Sequence, residues 1–216
     1  MAIIPQNAFP AIDESGAIIR GTPPDANQLV VPVPELDGLL ALMLLTGACR
    51  LARLDAAGDL VLLPDQDRAL WDRAEIEEGL SLIRAAVRGG TSGPYAIEAS
   101  IAALHAEAAR PEETDWRQIA TLYGRLFALH PSPVVALNRA VAVSMAEGPA
   151  AALPMVEELE EALASYHLWH ATRADLLRRL GRTEEAIASY RRAYALAQNE
   201  VERRFLARRL RELSSM

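Results

Sequence analysis

"LLRRLGRTEEAIASYRRAYAL", residues 176–196, ends one helix, turns, and begins another. Gly181 is the predicted stop, because glycine accepts the left-handed backbone that closes a helix. Beyond it, Ala186, Tyr190 and Ala193 recur at steps of four and three, which is one face of a helix. Small residues on that face let a neighbouring helix come close, and the aromatic ring fills the groove between the two. A helix pair of this kind buries little by itself, so the same pattern should continue upstream.

It does, in a weaker form. Tyr166–Leu180 and Thr183–Ala197 make the last pair, followed by a final helix from Glu200 to Leu213. Ser132-Pro133 sets a capping hydroxyl before a proline at the first helical position and opens a helix to Ala146. Gly148-Pro149 opens the next, to about Leu163, with Ala152, Val156 and Leu159 on its inner face. Gly93-Pro94 opens a helix to Ala108, and Asp115-Trp116-Arg117-Gln118 has the form of a capping box before a helix ending near Leu129. Tyr123 and Leu126 are compatible with the same inner face. Pairs that begin near 94, 133 and 166 fall within the period of helical repeats. The Ala186, Tyr190 and Ala193 pattern resembles the second helix of a tetratricopeptide repeat. That resemblance implies an all-α fold of antiparallel helix pairs, stacked as a short right-handed solenoid.

Composition agrees with helices. The 216 residues are 51% apolar but only 5% aromatic, so the core must come from alanine and straight aliphatic side chains, which are good helix formers. All 22 basic residues are arginine. The net charge of −7 weighs against nucleic acid as the main partner. Between Arg173 and Glu212, however, 11 arginines face 6 acids, about +5 within an acidic chain. The single Cys49, within an apolar run, excludes an intramolecular disulfide and reads as a small buried hydrophobe. No signal peptide is visible. The run Leu36–Ala48 is too short to span a bilayer. A cytoplasmic protein without membrane contact is expected.

The first 34 residues hold six of the 13 prolines and predict an extended arm, with a short strand at "GAIIRG". A helix begins near Pro34 or Glu35 and runs to about Arg50. "ARLDAAGDLVLL" alternates around Asp55-Ala56-Ala57-Gly58 and predicts a small β-hairpin over 53–62. Asp72-Arg73-Ala74-Glu75 has capping-box form, and Ile76, Leu80, Ile83 and Val87 give the helix behind it one apolar face, ended by Gly89-Gly90. The domain reading is therefore an arm over 1–34, N-terminal helices and hairpin over 35–92, and helical repeats over 93–213 packed with 35–92 as one domain.

"LLPDQDRALWDRAEIEEGL", residues 62–80, gathers carboxylates and so raises the question of catalysis. A proton-transfer site needs two acids in a cleft with divergent pKa values. Here Asp72 and Glu75 have capping roles, while Arg68–Asp72 and Arg73–Glu77 are spaced to pair on a helix. The four histidines, His105, His130, His167 and His170, lack a third converging ligand, so no metal is expected. No nucleophile elbow or phosphate-binding glycine loop appears. No catalytic residue and no cofactor are assigned, and the chain reads as a non-enzyme.

Taken in order, "LLALMLLTGACRLARLD", "LLPDQDRALWDRAEIEEGL", "GPYAIEASIAALHAEA", "TDWRQIATLYGRL", "PSPVVALNRAVAV" and "YHLWHATRADLLRRLGR" resemble the C-terminal extension of extracytoplasmic-function-type bacterial sigma factors. Those factors carry a tetratricopeptide-like domain behind their DNA- and polymerase-binding domains. The resemblance covers roughly residues 35–213. Before Glu35 no helix-turn-helix pattern stands, so a fragment of a longer factor and a free-standing product both remain open. The resemblance implies a regulatory domain in transcription that works through protein contacts, with sigma domains, RNA polymerase or another regulator as partner, and no specific DNA binding by this chain alone. Asp67, Arg68, Trp71 and Arg73 at the junction, and Asn138 and Arg139 in the "LNRAVA" helix, are the candidate interface residues. The alternative is a helical small-molecule or enzymatic domain with a pocket near His105 and Glu107, or near His167 and His170.

Overall fold

The computed structural model describes residues 33–88 and 93–214. The expected arm and its short strand, and the Gly89-Gly90 stop, lie outside the described residues. Within them the chain is all-α. The helices are α1 (Val33–Gly47), α2 (Arg73–Arg88), α3 (Pro94–Glu107), α4 (Trp116–Leu129) and α5 (Pro133–Ala146). They continue with α6 (Pro149–Glu157), α7 (Glu160–Leu163), α8 (His167–Arg179), α9 (Thr183–Leu196) and α10 (Glu200–Ser214). Short 3-10 turns cover Arg50–Ala52, Leu63–Asp65, Arg68–Leu70 and Pro111–Glu113.

Local chemistry sets most of these boundaries. Pro94, Pro133 and Pro149 occupy the first helical position, where a missing N–H costs nothing. Asp115 caps α4 by accepting from the Gln118 amide at 2.9 Å. Ser132 does not cap α5: its hydroxyl makes no such bond, and proline pre-sets the first turn without it. Gly181 closes α8 with φ +74°, and the Arg182 amide reaches back to the Leu177 carbonyl at 2.9 Å. The single helix expected over 149–163 is two, because at Leu159 the ladder tightens to a 3-10 bond, Leu159 N to Val156 O at 3.1 Å. The expected hairpin falls to one antiparallel bridge, Leu54 to Leu60, since too few residues flank the turn to extend a ladder.

Packing is serial. α1 lies on α2 and α3, α3 on α4, α4 on α5, α5 on α6, α6 on α8, α8 on α9 and α9 on α10. α3 serves two neighbours with two faces. Ala96, Ala99, Ala103 and Ala106 join the core of α1 and α2, whereas Ile97 and Ile101 join that of α4 and α5. α1 and α3 touch almost backbone to backbone: a Cβ at Gly38 would sit 2.8 Å from the Ala96 amide nitrogen, so only glycine fits. The largest core runs from α5 to α10 and includes Ala186, Tyr190 and Ala193, all essentially inaccessible.

Buried polar groups tie the array together. Trp169 of α8 donates through Nε1 to the Val156 carbonyl of α6 at 2.7 Å. Arg179 of α8 caps the end of α5, with Nη2 on the Ser144 carbonyl at 2.9 Å. Asp175, 1% exposed, accepts from Arg178 at 2.8 Å. A charge this deep is tolerable because it is paired.

Candidate functional site

The connector between α1 and α2, residues 48–72, visits both ends of the helix array. It leaves α1 at Ala48, whose carbonyl accepts from the Asp72 amide at 3.0 Å, so start and finish of the connector are stapled together. Arg50 closes the same point, with Nη1 at 2.8 and 2.6 Å from the two Glu75 oxygens and Nη2 3.9 Å from Asp72. In between, the chain crosses to α10. Leu62 is buried in the core formed by α5 to α10, and Leu60 packs against it.

Two of the motif carboxylates, Asp67 and Asp72, serve as caps. Asp67 Oδ1 accepts from the Ala69 amide at 2.9 Å and opens a 3-10 turn. Asp72 Oδ1 accepts from Ala74 N at 3.0 Å and Glu75 N at 3.1 Å and opens α2. The reciprocal half of the expected capping box is absent. The Asp72 amide is already taken by Ala48, so Glu75 turns to Arg50 instead. Arg68 does not pair with Asp72 either. Its Nη1 donates to the His105 and Ala108 carbonyls at 3.0 and 2.6 Å, capping the last turn of α3, and its guanidinium stacks 4.5 Å from the Trp71 ring centre. Burial lowers the Arg68 pKa. Trp71 is 6% exposed and belongs to the core of α1, α2 and α3. Its ring is enclosed, and the indole Nε1 has no partner. Arg73 is exposed, and no ion pair joins it to Glu77 among the described residues.

Asn138 and Arg139 lie apart from this turn. Asn138 is buried in α5 with Oδ1 unpartnered, and Arg139 is exposed, with its guanidinium near Gly124 of α4. No hydrogen bond or ion pair links either to Asp67–Arg73 among the described residues. Val87, expected on the inner face of α2, is 55% exposed; Gly79 and Ala86 complete the buried face with Ile76 and Ile83.

The histidines do not converge. His105 is enclosed edge-on against Trp116, ring centres 5.1 Å apart, and burial, then Arg68, pushes its pKa down to about 4. Its sequence neighbour Glu107 turns the other way and pairs with Arg84 at 2.6 Å. His167 lies 3.0 Å from Glu202 of α10, while His170 bonds the Ala164 carbonyl at 2.8 Å. No cluster of three or more His, Cys, Asp or Glu able to hold a metal occurs among the described residues. No described helix is long and apolar enough to cross a membrane.

Two surface features remain. Between α2 and α3 lies an open groove of about 330 Å³, floored by Ile83 and Ala103 and edged by Val87, Leu104 and the Arg84–Glu107 pair. On α1, Leu36, Leu40 and Met43 are 50%, 44% and 57% exposed at the i, i+4, i+7 spacing that makes one stripe. This stripe is not legible in sequence, because a largely apolar helix does not say which of its faces is left over. Nor are Asp59, Arg204 and Arg208, which join the connector to α10. The only local signal for that contact was a pair of arginines four residues apart.

Residues 23–87 match the model of DUF6596, a family of unknown function. An uncharacterized protein of Rhizobium meliloti (strain 1021) is 53% identical over 182 residues, covering 84% of this chain and 43% of its own length. The chain thus spans less than half the length of this curated relative. No solved structure matches.

Proposed function

We propose that this chain is a protein-interaction domain of the tetratricopeptide-like solenoid type, related to the C-terminal extension of a bacterial sigma factor and regulatory in transcription. The observation that carries the reading is the α1 stripe of Leu36, Leu40 and Met43. Terminal units of a helical stack need a polar outer face to be soluble alone. An apolar one marks a surface meant to be covered. The occupant we propose is a sigma-type domain pair, attached or separate. The relative's greater length supports it, since more than half of that protein lies outside the matched region. The capping by Asp67 and Asp72 and the pairing of Glu75 with Arg50 support a binding role over a reaction.

The test is titration of the chain with a purified sigma domain pair from a longer relative and with core RNA polymerase, using Leu40→Glu as the comparison. A complex with either that Leu40→Glu weakens at least about tenfold, the loss of roughly 1.4 kcal/mol, supports the reading. Absence of any complex, or one indifferent to Leu40→Glu, overturns the α1 assignment. Promoter DNA is expected to bind the chain only weakly and to be released by modest salt.

A further inference from the structure

We propose that the Arg204–Arg208 face of α10 is a docking site for an acidic peptide turn, held closed in this chain by its own residues Gly58–Leu60. The site is independent of α1 and of any sigma-type partner. Asp55 Oδ1 accepts from both the Ala57 and Asp59 amides at 2.9 Å, and Gly58 takes φ +76°. This presents residues 58–60 outward as one small unit.

Two guanidiniums read that unit in the same way. Arg204 donates through Nε to Asp59 Oδ1 at 2.7 Å and through Nη2 to the Gly58 carbonyl at 2.6 Å. Arg208 donates through Nη1 to Asp59 Oδ2 at 3.4 Å and through Nη2 to the Leu60 carbonyl at 3.5 Å. Each arginine therefore takes one carboxylate oxygen and one flanking main-chain carbonyl. A phosphate or a nucleic-acid backbone has no such carbonyls. The chemistry recognised is an aspartate within a peptide, with a small residue before it and an apolar residue after it. Leu60 and Leu62 fill an apolar seat in the core that also holds Phe205 and Leu206. The Arg204 hydrogen bond holds the Asp59 carboxyl below its usual range, with Arg208 and Arg211 adding to it.

The charged half of the clasp is reached by water. Side-chain exposure is 30% for Asp59, 41% for Arg204 and 37% for Arg208, so water competes for every bond. Beyond the Leu60 and Leu62 seat, the turn is kept in place by the high effective concentration of a tethered ligand, on the order of millimolar. A partner that presents the same Gly-Asp-apolar turn can take its place.

The experiment uses the full chain and a labelled peptide of residues 55–62, DAAGDLVL. Wild type, Asp59→Asn and the double variant Asp59→Asn/Arg204→Gln are titrated by fluorescence anisotropy. Asp59→Asn is expected to bind the peptide at least about tenfold more tightly than wild type, because the tethered competitor is weakened. The double variant, and a peptide with asparagine in place of its second aspartate, are expected to lose that gain. Should Asp59→Asn fold poorly, Leu60→Ser loosens the apolar seat with the charges intact and is expected to give the same gain. Equal affinity in wild type and the loosened variant overturns the proposal, as does equal binding of the asparagine peptide. A single-stranded oligonucleotide that outcompetes the peptide would also overturn it, showing a general anion surface.

Discussion

α1 and α10 stand at opposite ends of the same row of helices, and each packs on its neighbours through one face. Their outer faces differ. α1 turns Leu36, Leu40 and Met43 outward, whereas α10 turns Arg204 and Arg208 outward, where they grip the connector. Among the described residues the outer face of α10 is therefore charged and that of α1 apolar. The interiors differ too. α1 meets α3 through Gly38 and a ladder of alanines, a contact that depends on closeness. α8 and α9 meet through Ala186 and Ala193 around the buried Tyr190 ring, beside Leu176 and Leu177 of α8, a contact built on large side chains. An end packed around large side chains should fail abruptly when one goes. An end that relies on many small contacts should fail by degrees, and its exposed stripe should tolerate change.

That contrast can be broken in order of expected effect. Tyr190→Ala should cost about 3–5 kcal/mol, because the ring is 1% exposed and its removal leaves a cavity in the core. Trp71→Ala should fall in the same range, about 3–5 kcal/mol, and should also release the Arg68 guanidinium stacked on it. Urea unfolding of both variants checks this. If Tyr190→Ala cost less than about 1 kcal/mol, the ring would not be the organiser of the α8–α9 contact.

Ala186→Leu should cost about 1–3 kcal/mol by forcing α8 and α9 apart. Ala188→Leu, exposed two residues on, should stay within about 0.5 kcal/mol. Equal damage from the two, in the same unfolding assay, would mean that the buried face of α9 has been misassigned.

Protonation gives a third comparison, this time within the α1–α4 half. Burial, and then the Glu35 carboxylate, pushes Glu98 up to about 7 from an ordinary 4.5. Between those values the folded state binds more protons than the unfolded chain, so this group lowers stability as pH rises from 4.5 to 7. Glu98→Gln should therefore stabilise the protein by about 1–3 kcal/mol at pH 8 and hardly at all at pH 4. His105 works in the opposite sense. Its folded pKa of about 4 lies below the ordinary 6.5, so stability is lost as pH falls from 6.5 towards 4. Thermal melts of Glu98→Gln and His105→Gln across pH 4–8 separate the two; a pH-independent gain for Glu98→Gln would show that the carboxyl is not buried in its charged form.

The smallest effect belongs to the α1 stripe. Leu40→Gln should change stability by no more than about 0.5 kcal/mol, since the side chain is already 44% exposed. A large loss on chemical unfolding would instead make the stripe part of the core, and the contrast between the two outer faces would vanish.

Much of this was written locally. Prolines at first helical positions, the Asp115 and Asp72 caps, Gly181 as a stop, and the Ala186, Tyr190 and Ala193 face all act within one turn of their own residue. The sequence by itself therefore determined an all-α chain, where most helices begin and end, and which face of α9 is buried. Other features depended on what lies across the fold. Arg68 and Asp72 are spaced to pair, but the α3 carbonyls at His105 and Ala108 compete for the arginine and win with two aligned acceptors. Glu75 is placed to complete a capping box, but the Ala48 carbonyl holds the amide it would need. Trp71 reads as a contact residue by type and is a core residue by position. The clasp between Asp59 and Arg204 joins residues 145 positions apart, and the outward face of α1 is whatever α2 and α3 leave uncovered. Only the tertiary structure decided these, because hydrogen-bond partners and burial are set by distance in space, while spacing along a chain constrains only neighbours within a turn or two.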